Sequence, residues 1–578
     1  MDPADRAFER FHKRYQSQQF RAYPDLAFWM GGPKNLDGVL SEFSDEHAKE
    51  RRAIATDLWK RVQRIDRSNL SPENQIDFDI IFNDARQYYL DGVVDGVDDR
   101  VDPSMFLIGV DKVWGLLMHP ERRTFTKLVK ILEQIPGVAA EGIDYYERFG
   151  KDTPKAWVDY SVMEAEGGID LLTRLSTYRE VRELMDGRVE DHDRLKAAAS
   201  NARSSLIDLR DFFKGPLKRM SDEDCGIGYK RYNRDLRHSQ QIPHNPRQIL
   251  AFGLKLRKSL KKRLEEMAAS KGMTPRGVWR SIQDDHPEPS ELFREYKKAA
   301  AITKEIIIER GILPYDHKEE LVIEQAPVHI QKLFPFACYM LPFVDDRRQR
   351  GWFYIHSREG EDSIRDHNHT AIALFSVHEA HMGHHWQFTR DNQNPLVMGN
   401  FARKFYSCCS SIFHEGLALN GEALSLDEGI FRELAEERGL GSDEFNYKFY
   451  MLRDWLWRAD RLIIDSSMHA YLNPRIGGMP QMNVGSATEL LMRDTFMRRD
   501  DAHLEALMYA NYPGYFSGYA IGKLAITNLM NIERGRQGSN FSIKEFHERL
   551  TAHGEIPMTS LASIEFGVGP RRLYQGSL

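Results

Sequence analysis

Apolar side chains recur at helical spacing along nearly the whole of this chain, and the pattern breaks only once, between about Leu321 and Ile355. Stretches such as Asp45 to Ile65 and Arg123 to Ile135 alternate charged and apolar residues with the period of an amphipathic helix. Clusters of Pro and Gly at Met30 to Gly38, at Ser71 and at His119 put a Pro near a helix start. A chain patterned this way is confined to a mainly α, large multi-helix architecture. The exception, Leu321 to Ile355, holds short aromatic and β-branched runs (LVIEQAP, FACYMLPFV, GWFYIH) separated by Pro, Asp and Gly, and predicts a small β-sheet or hairpin. We divide the chain into a helical region, 1–310, forming a substrate-cleft wall, and a metal-binding catalytic region with the small sheet, 311–578. No linker composition marks the division, so the two can form one continuous domain.

An apolar fraction of 41% with 29% charged residues over 578 positions is that of a globular protein with enough chain for several cores. The net charge of -6 offers no general attraction to nucleic acid or to anionic lipid, and neither is expected as a partner. No run of about eighteen apolar residues could span a bilayer. The first residues, MDPADRAFERFHKRY, are charged from the outset and have no secretory apolar core, which predicts a cytoplasmic protein. Four cysteines, two of them adjacent, suggest reduced buried thiols and no disulfide framework. The basic stretch Lys255 to Lys271 has leucines at helical spacing and reads as a solvated helix face.

The densest chemical feature is HNHTAIALFSVHEAHMGHHWQF, which places His378, Glu379, His381, His384 and His385 within eight positions of an apolar helix. Imidazole is a good zinc ligand, and a Glu directly after the first His is where zinc peptidases carry the base that deprotonates water. The usual spacing puts the two His ligands one turn apart, but His378 and His384 are separated by six positions. On a regular helix their rings would point about 120° apart and could not share an ion. Two resolutions remain open. A bulge or kink at Gly383, able to take a positive φ, would wind in the surplus residues and bring His384 round to His378, and we prefer it because such insertions recur at functional sites. Alternatively His381 and His385, four apart, are the ligand pair on an undistorted helix, with no base beside them.

A hydrolytic zinc site needs a third protein ligand. In SSIFHEGLALNGEALSL, Glu415 and Glu422 lie on one helical stripe, so that one can bind metal while the other orients a ligand. Arg461, Asp465 and His469 are four apart on a further apolar helix, either a buried network or a substrate contact in which Asp465 sets a His tautomer and Arg461 receives a carboxylate. The turn NYPGYFSGY leads through Tyr515 and Tyr519 into a helix, where a phenol could stabilise an oxyanion.

These segments together resemble the domain-of-unknown-function family 885 (DUF885), a group of bacterial zinc-dependent metallopeptidase-like proteins. The family pattern H-E-x-x-P-G-H-H-x-Q is matched by His378, Glu379, Gly383, His384, His385 and Gln387, and E-G-W-A-L-Y-A-E by Glu415, Gly416, Ala418, Leu419 and Glu422. R-L-V-V-D-x-x-x-H fits Arg461, Leu462, Asp465 and His469, and a Pro-Gly turn before Y-K-I-G fits Pro513, Gly514, Tyr519, Ile521 and Gly522. The resemblance implies a metallopeptidase-like fold with one zinc ion on His378, His384 and Glu415, and Glu379 as general base. Glu379 and Tyr519 are then the catalytic residues, and His385, Glu422, Arg461, Asp465 and His469 support the site or touch substrate. The family's Pro, Trp, Tyr, Lys and Gln are here Met382, Leu417, Asn420, Ala520 and Tyr515, changes expected to line the substrate pocket and to leave room for an unusual amide. The expected function is zinc-dependent hydrolysis of an amide bond in a peptide or small amide substrate. The alternatives are a metal-dependent hydrolase of a modified metabolite and a non-catalytic helical binding protein.

Overall fold

The structure is a computed structural model, and it describes residues 2–187, 191–357, 364–436, 439–440, 442–476 and 482–575. It is mainly helical with one three-stranded sheet, as the periodicity predicts. The chain separates into two compact units.

The first unit comprises Met1–Cys225 with the short segments Pro327–Leu333 and Phe343–Asp346. Its frame is α1 (Phe125–Phe149), α2 (Lys155–Thr173) and α3 (His192–Phe212), with α3 packed on both of the others through Leu195, Ala198, Ala202, Leu206 and Leu209. Thr124 starts α1 by accepting the Lys127 amide at its side chain. The returning segments are held by local chemistry: Phe343 stacks on Trp29 at 5.6 Å, and Asp345 receives His119 Nε2 at 2.7 Å and Arg122 Nε at 2.9 Å.

The second unit, Gly226–Ala326, Phe334–Pro342 and Arg347–Leu578, contains α4 (Pro246–Ser270), α5 (Leu292–Glu309), the sheet, α6 (His369–Ser376), α7 (His384–Gln393), α8 (Ile412–Asp427), α9 (Glu444–His469) and α10 (Ser517–Gln537). The units divide after Cys225. The reason is packing: α4 lies along α9 and α5 along α6, so both belong with the later helices. On α4 the stripe Ile249, Leu250, Leu260 and Leu264 is buried while Arg257 and Lys261 reach Asp494, so the basic stretch has an apolar inner face and ion-paired cations.

The sheet consists of β1 (Glu320–Gln325), β2 (Ala337–Met340) and β3 (Arg350–Ile355) in the order β1-β3-β2, with β1 parallel and β2 antiparallel to β3. The central strand carries the continuous run Trp352-Phe353-Tyr354-Ile355, all buried, so both of its faces are covered. Phe353, Ile355 and Ile323 pack with Tyr296, Ala299 and Ala300 of α5 and Ile372 of α6 in one core. Burial of each large apolar side chain contributes about 1.5–3 kcal/mol. This core anchors α6, and hence the histidine segment that follows it. No disulfide joins the four cysteines; Cys225 is buried as expected, but Cys408 and Cys409 are exposed. Among the described residues no helix is long and apolar enough to cross a membrane.

Candidate metal centre

Asn368 caps α6 by accepting the Ala371 amide at 2.9 Å, and the helix runs on into a single π-turn, Val377–His381. The helical backbone then breaks at Ala380 (φ -106, ψ -115) and at Gly383 (φ -134, ψ -124), and α7 restarts at His384. The break absorbs the surplus residues. His378 and His384 meet with ring centroids 4.9 Å apart. Gly383 is required for a reason other than the expected positive φ: its φ is negative, and a Cβ there would lie 1.8 Å from the His378 carbonyl oxygen. Steric room decides this position.

The carboxylates arrive from α8, which reaches the break through two close approaches. Gly421 lets α8 rest on Met382, where a Cβ would meet the Met382 carbonyl at 2.6 Å. Gly416 crosses Gly522 of α10, where a Cβ would sit 2.4 Å from the Gly522 backbone. Glu415 Oε2 consequently lies 3.4 Å from His378 Nε2 and 3.7 Å from His384 Nε2, and Glu379 Oε2 lies 4.0 Å from His384 Nε2. Glu422 Oε1 accepts from His378 Nδ1 at 2.8 Å, which turns Nε2 toward Glu415. Among the described residues, His378, Glu379 and His384 form one of two groups with donor atoms close enough to share a metal ion. Glu415 Oε2 is buried and has no hydrogen-bond partner. An anionic oxygen so placed, beside two imidazoles, fits a soft-to-borderline cation such as zinc.

The electrostatics point the same way. Burial opposes a charge on His378, yet the neighbouring carboxylates of Glu415 and Glu422 push it up to about 10. Burial, opposed by Glu415 and reinforced by the His378 and His414 charges, drives His384 down to about 3, which leaves it neutral. Against its own burial, Glu415 is held below the usual carboxylate range by His384 and His378. Positive charge is thus drawn to the point where the three side chains converge.

His381 and His385 form the second group, with Glu319. They face away from the first pair, toward the loop that precedes β1. His385 Nε2 meets Glu319 Oε2 at 2.6 Å and its Nδ1 meets the Tyr339 hydroxyl at 2.9 Å, while Tyr315 bonds His381 Nδ1 at 2.5 Å. Lys304 pairs with the other oxygen of Glu319.

The polar line on α9 separates into two roles. Asp465 accepts from the Gly514 amide at 2.9 Å and the Ser517 hydroxyl at 2.6 Å, so it holds the Pro-Gly turn. It does not set the His469 tautomer: the two are 3.9 Å apart, and His469 Nε2 is bonded instead to the Tyr509 carbonyl. Arg461 lies near the site, its guanidinium 4.3 Å from the Tyr519 ring centroid. Burial, and next the Glu415 charge, raises the Tyr519 phenol well above its ordinary value. Of the family departures, Met382, Leu417 and Ala520 are buried in helix packing. Asn420 bonds Lys523 and Thr527 of α10, and Tyr515 faces the site, its hydroxyl 3.4 Å from His414 Nε2.

Sequence reasoning missed His414, whose ring is 5.6 Å from that of His384 and whose Nδ1 meets Glu555 at 3.0 Å. Its position directly before Glu415 was the available signal. It also missed Glu319, which no local pattern distinguishes, and Arg458, next to Trp457 on α9.

The family model of the bacterial proteins of unknown function called DUF885 matches residues 24–564. No curated protein matches the chain. Its structure is similar to that of a candidate lipoprotein from Colwellia psychrerythraea, with a TM-score of 0.75 and 17% identity over 99% of each chain. A candidate lipoprotein of unknown function from Shewanella oneidensis gives a TM-score of 0.71 at 16% identity, over 96% of this chain and 99% of that one. These likenesses establish a shared fold. A metallocarboxypeptidase 1 from Trypanosoma cruzi aligns at a TM-score of 0.43 and 12% identity, over 99% and 98%, a level from which nothing follows for this chain.

Proposed function

We propose, from the premise that this chain belongs to the DUF885 family of bacterial proteins, that it is a metal-dependent hydrolase of an amide bond. His378, His384 and Glu415 would hold one zinc ion. The observation that carries this reading is Glu415 Oε2, buried without a hydrogen-bond partner and within 3.4 and 3.7 Å of two imidazole Nε2 atoms. When bound, zinc supplies Lewis-acid polarisation of a carbonyl and of water. Glu422 fixes the His378 ring through Nδ1, the outer-sphere role a carboxylate plays for a ligating His.

Glu379 stands beside this point as the base that takes a proton from water and returns it to the departing amine. Burial pushes its carboxyl up to about 7, against the pull of His378 and with the help of Glu415 and Glu422, so it can both accept and donate near neutral pH. A dication beside it would draw that value down again. Tyr519 keeps its proton and can donate a hydrogen bond to the oxyanion of a tetrahedral intermediate. The substrate is a peptide or a small amide.

Metal analysis of pure protein, followed by chelation and reconstitution, tests this. We expect about one zinc per chain, amide hydrolysis that disappears with the metal and returns with it, and a Glu379→Gln variant that keeps zinc while losing about 10²–10⁴ in rate. Protein without stoichiometric zinc, and with no hydrolysis on adding it, removes the proposal.

A further inference from the structure

Three arginines of α9 surround one indole. The guanidinium carbons of Arg453, Arg458 and Arg461 lie 5.6, 4.5 and 4.4 Å from the Trp457 ring centroid. All three are buried. Arg453 is satisfied: it donates to the Thr495 carbonyl at 2.8 Å and to Asp454 at 2.5 Å. Arg458 shares that carboxylate, with Nη1 3.4 Å from Asp454 Oδ2, and Arg461 has Glu505 at 3.1 Å and the Tyr509 hydroxyl at 3.0 Å.

The ion pairs leave a surplus. Three guanidiniums meet two carboxylates, Asp454 and Glu505. The donors leave one too: Arg458 Nε and Arg461 Nη1 are buried with no hydrogen-bond partner. An unpaired buried cation is costly, and arginine cannot shed its proton to escape that cost. Both arginines flank Tyr519, with guanidinium carbons 5.9 and 4.3 Å from its ring centroid. The field of Arg458 reaches Glu379. The surplus charge therefore sits beside the metal centre.

We propose that Arg458 and Arg461 form an anionic subsite that receives a carboxylate of the substrate, which makes the substrate class amides whose departing part carries a free carboxylate close to the bond that is cut. One guanidinium more than the carboxylates paired with the three suits a monoanion, and a planar guanidinium matches a carboxylate in shape and donor direction. A phosphate dianion would reverse the local charge. The aromatic walls exclude water from the contact and strengthen it. This inference rests on the amide-hydrolase reading for its position but not for its test.

The test is calorimetric binding of acetylated dipeptides with small, aliphatic or aromatic last residues, each as the free acid and as the matched terminal amide, to the zinc-loaded full chain. We expect at least one free acid to bind, its amide to bind at least tenfold more weakly, and the gap to shrink to about twofold in Arg458→Gln. Arg461→Gln should do the same, and because loss of its Glu505 pair can impair folding, the unsubstituted protein's acid-to-amide ratio is the deciding measurement. Equal affinities for acid and amide, no binding of either, or a full gap retained in a folded Arg458→Gln overturn the subsite. Binding of the acid without any hydrolysis keeps the subsite and rejects the hydrolase.

Discussion

The segment that carries His378 and His384 also carries His381 and His385, and the two pairs end in opposite circumstances. The first pair converges on Glu415, whose Oε2 has no hydrogen-bond partner, while Glu422 holds the far side of His378. Around the second pair, Tyr315, Tyr339 and Glu319 supply partners to ring nitrogens, and Lys304 neutralises Glu319. Each pair has a carboxylate within ligating reach. Donor type and spacing thus do not distinguish a metal centre from a polar core. What distinguishes them is whether the protein itself has already satisfied the donors, since a closed hydrogen-bonded network gains little from a cation that must break it.

The sharpest way to break this contrast is to neutralise the two carboxylates in turn. Glu415→Gln is expected to lower zinc affinity by more than the roughly 10–100-fold that loss of an outer partner costs, and to abolish hydrolysis. Glu319→Gln should leave zinc bound while destabilising the fold by about 1–3 kcal/mol, because His385 and Lys304 lose their buried acceptor. Zinc content and denaturant unfolding of the two variants decide it, and zinc lost from Glu319→Gln but retained in Glu415→Gln would exchange the roles.

Gly383→Ala attacks the break that separates the pairs. Alanine ordinarily favours a helix by about 1 kcal/mol over glycine. Here its Cβ would sit 1.8 Å from a carbonyl oxygen, so a loss of about 3 kcal/mol or more, with loss of zinc, is expected. A stabilised variant that still binds zinc would mean that the helix runs through this point unbroken.

Glu422→Gln sharpens the comparison from the first pair's side. It keeps the ligands but weakens the hold on His378 Nδ1, so zinc affinity measured by chelator competition should fall about 10–100-fold. An unchanged affinity would show that His378 is oriented by packing alone.

The smallest effect on zinc binding belongs to His381. Burial, reinforced by the His385 charge and opposed by Glu319, drives it down to about 3. An unfolded histidine takes its proton near 6.5, so between about pH 6.5 and 3 the unfolded chain binds more protons than the fold does. Its contribution to stability is therefore full above about pH 6.5 and is lost as pH falls, with a slope approaching about 1.4 kcal/mol per pH unit. His381→Ala should retain zinc and lose this part of the acid slope, as read from urea midpoints between pH 4 and 7. An acid slope identical to that of the parent protein would mean His381 is not held neutral.

Much of the fold was legible because it is a local property. The period of apolar residues marks the helices, and the aromatic run Trp352 to Ile355 marks a strand covered on both sides. Of the candidate site, the requirement for a break near Gly383 follows from arithmetic on a six-residue spacing. Its mechanism did not follow, since a close approach to the His378 carbonyl depends on how the chain folds back. Nor did the role of Asp465, whose partners Gly514 and Ser517 are 49 and 52 positions away.

By itself, the sequence determined that this chain is helical with one small sheet, that four histidines and a glutamate crowd one segment, and that a regular helix could not bring His378 and His384 together. Only the tertiary structure decided which histidines face which carboxylate. That choice is made by the contact of Gly416 with Gly522 and of Gly421 with Met382, which set Glu415 at the first pair, and by the loop before β1, which delivers Glu319 to the second. Local periodicity is a property of neighbours in the chain, whereas the match between a buried donor and its acceptor joins residues tens of positions apart and exists only once the helices have packed.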